Sequence, residues 1–468
     1  MSFDLSRREL MTAIAAALVA AGCSTTVDDE NAEEGQAALG SKSQRIAIVG
    51  GGPAGISAAY ALKKKGYTRV TIFEKEAALG GKVSTFVRNG KPNEMGAVYA
   101  TQDYKHVLGI ARELGIPLLR DDKPLLLIDT DGKMLSFPEF LEAHWSKPEV
   151  ARAFTKFSQV LFNYGALFDK GNHAAKPELF VPFETFAKSE GIEPVAELFR
   201  STMVGCGYGY YEEVPALYIV KLLKTWFLNG LREVEAAATL HLRNEPTLLK
   251  FPGGFQQFFI EVAKASGAKV RLRSAISAIR RTGATVSVTV GGSSEEFDSV
   301  ILAAPLPAML AALDASSEER DLMSRIKTYR YFATLFEDTK LPDGNSLFLH
   351  GKSRPAQLGE TIIFGNFSYE PRLWTSYQLA DRRAAPANLK TQLAKDSRAL
   401  GGAPGAILMQ KEWDYFPHVG SADLEANFYP RMEALQGKNR TYYAGGVMNF
   451  ESTEFAAEYS QRLVDRFF

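Results

Sequence analysis

An α/β fold is predicted, in which a parallel sheet is assembled from segments far apart in the chain and a second, α+β unit is interleaved between them. Three observations predict it. Residues 45–66 read as a buried strand, a glycine turn and a helix, and residues 441–467 repeat that order at the other end. Between them, helical patterns over about 126–245, broken at Pro148, Pro177, Pro194 and Pro215, give way to short alternating runs over 328–412 such as TIIFGNFSY and GAILMQKEW. At 468 residues the chain also exceeds the length at which single hydrophobic cores stop growing.

The chain ahead of the first strand reads as a processing segment. Arg7 and Arg8 precede the apolar run LMTAIAAALVAAG, too short to span a bilayer but suited to the core of a signal peptide. Residues 1–22 resemble a twin-arginine export signal, and its end at AAGC marks Cys23 as the lipidated residue. Export to the periplasm or cell envelope, with membrane anchoring through Cys23, is therefore expected. Residues 23–43 hold clustered acids and no aromatic side chain, which predicts a flexible tether. Basic and acidic residues each total 54 without a basic stripe, so nucleic acid is not an expected partner. Cys23 and Cys206 are the only cysteines and the six histidines form no HExxH, which predicts neither a disulfide framework nor a metal site.

The first strand, RIAIV at 45–49, runs into Gly50, Gly52 and Gly55 at GxGxxG spacing, with Pro53 and Ala54 opening a helix that ends near Gly66. Gly50 allows the tight turn, Gly52 lets a pyrophosphate approach the backbone, and Gly55 lets the helix lie against the strand. Free N–H groups and the positive end of the helix dipole then face the phosphates. The next strand, RVTIFE, ends in Glu74, where a carboxylate can accept hydrogen bonds from ribose hydroxyls. Together these define a Rossmann-like dinucleotide site.

The block EKEAALGGKVST resembles the segment after the ribose acid in the flavin-containing amine oxidoreductase superfamily, which includes amine oxidases, protoporphyrinogen oxidases and phytoene desaturases. Gly80 and Gly81 match, and Lys82 stands where arginine is usual, keeping the cation but losing the bidentate fork. NEMGAVYA resembles the segment under the flavin ring, with Gly96 and Ala97 at the close-approach positions. Residues 251–307 resemble the return to the nucleotide domain, where Ile276 falls at the adenine contact. RTYYAGGVMNFESTEFAAEYSQRLVDRFF resembles the closing motif, with Gly445, Gly446 and Met448 in its turn. The usual Gly-Glu is replaced there by Gly445-Gly446, so the side-chain contact of that glutamate is missing. The resemblance implies non-covalent FAD held by a discontinuous (GR2-type) domain of segments 44–125, 246–310 and 411–468. It also places Lys75 beside the cofactor, next to Glu74.

A second strand–GxGxxG–helix unit is not found: GCGYGYY at 205–211 lacks a strand before it and GGAPGA at 401–406 lacks a helix behind it. Hydride is therefore expected to come from the organic substrate. The substrate unit is read as a helical cap, 126–245, and a sheet segment, 311–410. Tyr208 and Tyr210 from the cap, with Trp413, Tyr415 and His418 from KEWDYFPHV, are candidates for an aromatic channel over the flavin, although each also suits a core role. GYGYYEEVPALYIVKLL and KEWDYFPHV resemble the branch containing polyenoic fatty acid isomerases. This implies hydride abstraction from a small lipophilic, unsaturated substrate, by isomerisation or desaturation. A peroxide-forming amine oxidase and a non-catalytic exported binding protein are the alternative readings. No acid–base set stands out in the sequence, so the catalytic side chains stay open.

Overall fold

The computed structural model describes residues 41–224, apart from 122 and 124, and 248–468, apart from 368 and 369. The expected signal segment and Cys23 lie outside the described residues. A five-stranded parallel sheet forms one half, in the order Lys269–Arg271, Arg69–Phe73, Arg45–Val49, Ser299–Leu302, Thr441–Tyr443. Its strands come from three remote parts of the chain, as the sequence predicts. Ile46, Ala47, Ile48, Val300, Ile301 and Leu302 have no exposed surface, because both faces of the sheet are covered.

On one face the helix Pro53–Lys64 packs between the helices Phe255–Ser266 and Thr453–Phe467. Its buried residues are mostly small (Ala54, Gly55, Ser57, Ala58, Ala59, Ala61), which lets both neighbours approach closely. The Ser460 hydroxyl on the closing helix donates to Ala54 O at 2.9 Å. On the other face lies the antiparallel meander 276–297, whose Phe297 meets Phe73 edge-on at 5.8 Å.

The second half is a seven-stranded sheet in the order Pro404–His418, Lys327–Asp338, Leu373–Ala380, Ile363–Gly365, Ser346–Leu349, Leu125–Ile128, Met134–Leu135. Period-2 alternation gives it two faces. Phe336, Trp374, Phe364 and Leu347 pack under the helix Pro386–Ala399 through Leu393. Tyr331, Ala333, Leu335, Tyr377 and Leu379 face the opposite way, toward the cap helices.

Three segment boundaries differ from the expectation. Leu125–Ile128 pairs in parallel with Ser346–Leu349, so the second unit begins with a strand rather than a helix. Arg281 ties Asp314 and Glu319 to the meander, extending the second nucleotide segment past 310 into the helix Ser317–Arg325. The strand Pro404–His418 runs unbroken through 410 because it pairs along most of Lys327–Asp338. No helix among the described residues is long and apolar enough to cross a membrane.

Gly55 is a tight point of this assembly: a Cβ there would overlap Gly50 O and come within 3.1 Å of Ile48 Cγ2. Gly66 (φ +91°) has nothing within 4 Å. Gly55→Ala should therefore destabilise the apoprotein by about 2–3 kcal/mol, and Gly66→Ala by roughly 1 kcal/mol. Denaturant unfolding of both variants checks the order.

Candidate active site

The glycine turn is built by two backbone constraints. Gly50 (φ +112°) donates its N–H to Phe73 O at 2.9 Å, and a side chain there would lie 2.8 Å from Ala303 O. Glu74, 6% exposed, accepts the Gly51 N–H on Oε2 (2.8 Å) and the Glu76 N–H on Oε1 (2.8 Å). Glu74 thus fixes the loop beside it. Ser274 N–H donates to Glu74 O (2.8 Å), two residues before Ile276, which opens the meander opposite Val290. Lys75 turns the other way: its side chain is 72% exposed and 3.7 Å from Glu76, so the structure does not bring it into the site. The reason is the turn after the strand, in which Glu74 points inward and the next residue outward.

A second glycine pair packs on the first. Gly80 N–H donates to Gly51 O (2.8 Å), and a Cβ on Gly81 (φ +57°) would lie 3.3 Å from Gly52 Cα. A Cβ on Gly52 would have no neighbour nearer than 3.9 Å, so this face is open to a ligand. The helix behind it starts at Pro53 with no side-chain cap and no acid in its first turn, and carries Lys63 and Lys64 in its last. Its positive end is left for an anion. Gly445 (φ +103°) borders the same space from the closing turn; its nearest neighbour would be Ala303 O, 4.0 Å away. Both turns therefore lie at the carboxyl ends of the parallel strands that flank Ser299–Leu302, the end at which dinucleotides bind in such sheets. The residues fit FAD: an open glycine cradle, a helix N-terminus and a ribose acid.

Other predicted contacts are rearranged. The bare Cα of Gly96 is covered by Lys82 O and that of Gly446 by the Glu451 carboxylate, so neither is a vacant face. Ala97 is half-buried beside them. Met448 is 2% exposed and packs into the nucleotide-domain core, since the turn Gly446–Met448 points its last side chain inward. Lys82 Nζ lies 3.2 Å from Glu451 Oε1 and 5.2 Å above the Tyr415 ring.

Beyond Lys82 lies a cluster of aromatic side chains, the candidate chamber. Cys206 stands within electrostatic reach of the hydroxyls of Tyr104, Tyr208, Tyr331, Tyr377 and Tyr415. Burial pushes the Cys206 thiol up to about 12 and raises all five phenols, so the wall is uncharged at neutral pH. Tyr331 stacks on Tyr377 (5.6 Å) and Tyr415 (5.0 Å), and Tyr208 packs on Phe450 (5.0 Å) and Tyr415 (6.0 Å). The glycines of GCGYGYY explain themselves here: a Cβ on Gly207 would lie 2.6 Å from the Tyr415 ring. The Tyr377 hydroxyl has no hydrogen-bond partner among the described residues, an orphaned buried donor on the chamber wall. Below the chamber, buried Glu94 accepts from the Thr85 hydroxyl (2.7 Å) and Phe255 N–H (2.7 Å), and burial pushes its carboxyl up to about 7.

The structure divides the aromatic candidates. Tyr208 and Tyr415 line the chamber. Gly209 (φ +76°) turns the chain between Tyr208 and Tyr210, sending Tyr210 into the roof core against Tyr329 (6.1 Å). Phe416, at φ +54°, sits in a β-bulge where the register slips from Tyr329–Tyr415 to Lys327–His418. Past that bulge His418 leaves the chamber and stacks between Phe416 (5.0 Å) and Tyr329 (5.6 Å). Trp413, paired opposite Tyr331, packs half-buried on the roof core. The sequence reading misses Cys206, Tyr331, Tyr377, Phe450, Glu94 and Glu451. The alternation of TYRYFATLF signals one inward aromatic face, but nothing local identifies what it faces. Among the described residues no cluster of His, Cys, Asp or Glu suits a metal ion.

A sequence profile of the flavin containing amine oxidoreductases matches residues 53–344. The chain belongs to this family. FAD is its cofactor, and it is an enzyme of this superfamily rather than a non-catalytic binding protein. The FAD-dependent oxidoreductase oblC of Cochliobolus heterostrophus is 24% identical over 453 residues, 90% of each chain. The polyenoic fatty acid isomerase of Ptilota filicina is 21% identical over 326 residues, 63% of each chain. Among solved structures, the CLA-producing fatty acid isomerase from P. acnes superposes with a TM-score of 0.81 at 26% identity, covering 92% of this chain and 99% of that one. Cyclohexylamine oxidase from Brevibacterium oxydans gives 0.65 at 17% identity, covering 91% and 98%, a likeness of fold.

The stacked position of His418 has a measurable signature. Burial lowers its pKa from about 6.5 to about 4. Above pH 6.5 the ring is neutral in both states; as pH falls, the unfolded chain binds the proton first, so stability is lost between pH 6.5 and 4, by roughly 3 kcal/mol. Glu94 acts with the opposite sign, binding its proton more tightly in the fold, and cancels in a comparison with His418→Phe. Unfolding free energies across this range should fall less steeply in the variant than in the native protein.

Proposed function

We propose that this FAD enzyme shifts a double bond along a lipophilic, unsaturated substrate, a fatty acid or polyene, with desaturation of the same substrates as the variant outcome. The observation carrying this reading is the aromatic chamber around Cys206, set beside the glycine cradle, with its thiol and phenols uncharged at neutral pH. Bound FAD supplies the hydride acceptor and donor. Hydride leaves a carbon beside a double bond and returns farther along the chain, so the substrate gains and loses no electrons overall.

The chain's own residues have simpler tasks. Tyr208, Tyr415 and Phe450 hold the hydrocarbon flat by ring contact and keep water out, which matters because a cationic allylic centre would be trapped by water. The unpaired Tyr377 hydroxyl offers one hydrogen bond to an otherwise apolar ligand. Glu94, near neutrality, stays behind the Gly96 segment, bonded to Thr85 and Phe255. The similarity to two fatty acid isomerases supports this reading. An amine substrate is disfavoured by Lys82, whose ammonium already lies over the Tyr415 face that a substrate cation would use. Export under the signal of residues 1–22 and lipidation at Cys23 would place this chemistry at the cell envelope.

Anaerobic incubation of the FAD-loaded protein with linoleate should raise the ultraviolet absorbance of a conjugated diene with no acceptor added. Peroxide release from amines in air, with no diene from any unsaturated fatty acid, would contradict the proposal. Tyr208→Ala should lower kcat/KM for the fatty acid roughly a hundredfold while keeping FAD bound, checked by steady-state kinetics and the visible spectrum.

A further inference from the structure

Two positions at which the chain departs from the motifs it otherwise matches, Lys82 and Gly446, are joined in space by Glu451. Glu451 follows the closing turn and precedes the closing helix Thr453–Phe467. Its Oε2 occupies the place where a side chain on residue 446 would begin. Its Oε1 lies 3.2 Å from Lys82 Nζ, with the two side chains 18% and 22% exposed. Its backbone carbonyl accepts from the Tyr415 hydroxyl at 3.4 Å. The carboxylate thus stands between the glycine cradle, which suits phosphates, and the aromatic chamber, which suits a flat ring. The part of FAD that joins its pyrophosphate to its ring is a polyol.

We infer that Glu451 binds the ribityl hydroxyls of FAD, delivering from five residues downstream the carboxylate that residue 446 lacks. A carboxylate is an acceptor for hydroxyl donors and forms short, charge-assisted bonds with them. Beside an anionic pyrophosphate it would be repelled unless neutralised, and the Lys82 ammonium does this while keeping the Oε2 atom unpaired by cations. Lysine rather than arginine suits the arrangement, since a single point charge meets one oxygen, whereas a planar fork would engage both. Gly446 is required for the same reason: any side chain there would displace the carboxylate. The inference rests on FAD binding in the cradle and is independent of which substrate the enzyme turns over.

Calorimetric titration of the full-length apoprotein with FAD and, separately, with ADP tests this. ADP fills the Glu74 half of the site and lacks the polyol. Glu451→Ala should weaken FAD about tenfold and leave ADP within about twofold of the native protein. Gly446→Glu alone, which sets two carboxylates in one place, should weaken FAD further, and the double variant Gly446→Glu/Glu451→Ala should recover FAD affinity toward the native value. Equal loss of ADP and FAD in Glu451→Ala would make the residue a structural support and overturn the inference. So would native FAD affinity in that variant, or a double variant no better than Gly446→Glu. The diene assay reads the proposed reaction separately, so failure of one does not imply failure of the other.

Discussion

The contact between two glycine pairs, Gly51–Gly52 and Gly80–Gly81, is the constraint on which the rest of the molecule depends. No side chain separates the backbones, and the Gly80 N–H reaches Gly51 O directly at 2.8 Å. Glu74 locks the arrangement from below by accepting the Gly51 N–H. Because Gly55 also admits no side chain, the helix Pro53–Lys64 is held hard against its strand with its uncapped N-terminus facing the cradle. A dinucleotide site made this way is rigid before any ligand arrives, which reduces the ordering cost of binding.

The chamber is oriented by a different device. The bulge at Phe416 places Tyr415 inward and His418 sideways, and a non-glycine residue at φ +54° there is backbone strain located at the site it shapes. The cap is fastened to the closing turn through a buried polar knot. Lys221 Nζ donates to Asn172 Oδ1 at 2.8 Å and to Asn449 Oδ1, while Asn172 Nδ2 donates to Asn449 O at 2.6 Å. The cap and the closing turn are thereby tied directly to each other.

Much of the nucleotide half is legible in the sequence because each of its residues has a local signature: glycine spacing after an apolar run, an acid at the end of the next strand, a strand–turn–helix at the end of the chain. Lys75 and Met448 carry no such signature, and their neighbours' geometry sends them away from the cradle. The chamber is legible only in outline. Tyr331 and Tyr377 meet through pairing between strands far apart in the chain, Phe450 reaches Tyr208 from the closing turn, and the destination of Tyr210 depends on one left-handed glycine. Glu451 is hidden for another reason: its role is set by what residue 446 lacks, which becomes visible only when the two are seen in contact.

The central claim is that the cradle and the chamber hold one FAD between them with its ring against tyrosines. Flavin fluorescence during titration of the apoprotein tests it most directly, because electron-rich phenols stacked on the ring quench its emission. The expected result is one equivalent of FAD bound with emission nearly extinguished. Bound FAD as bright as the free coenzyme, or protein that stays colourless in its presence, would contradict the account.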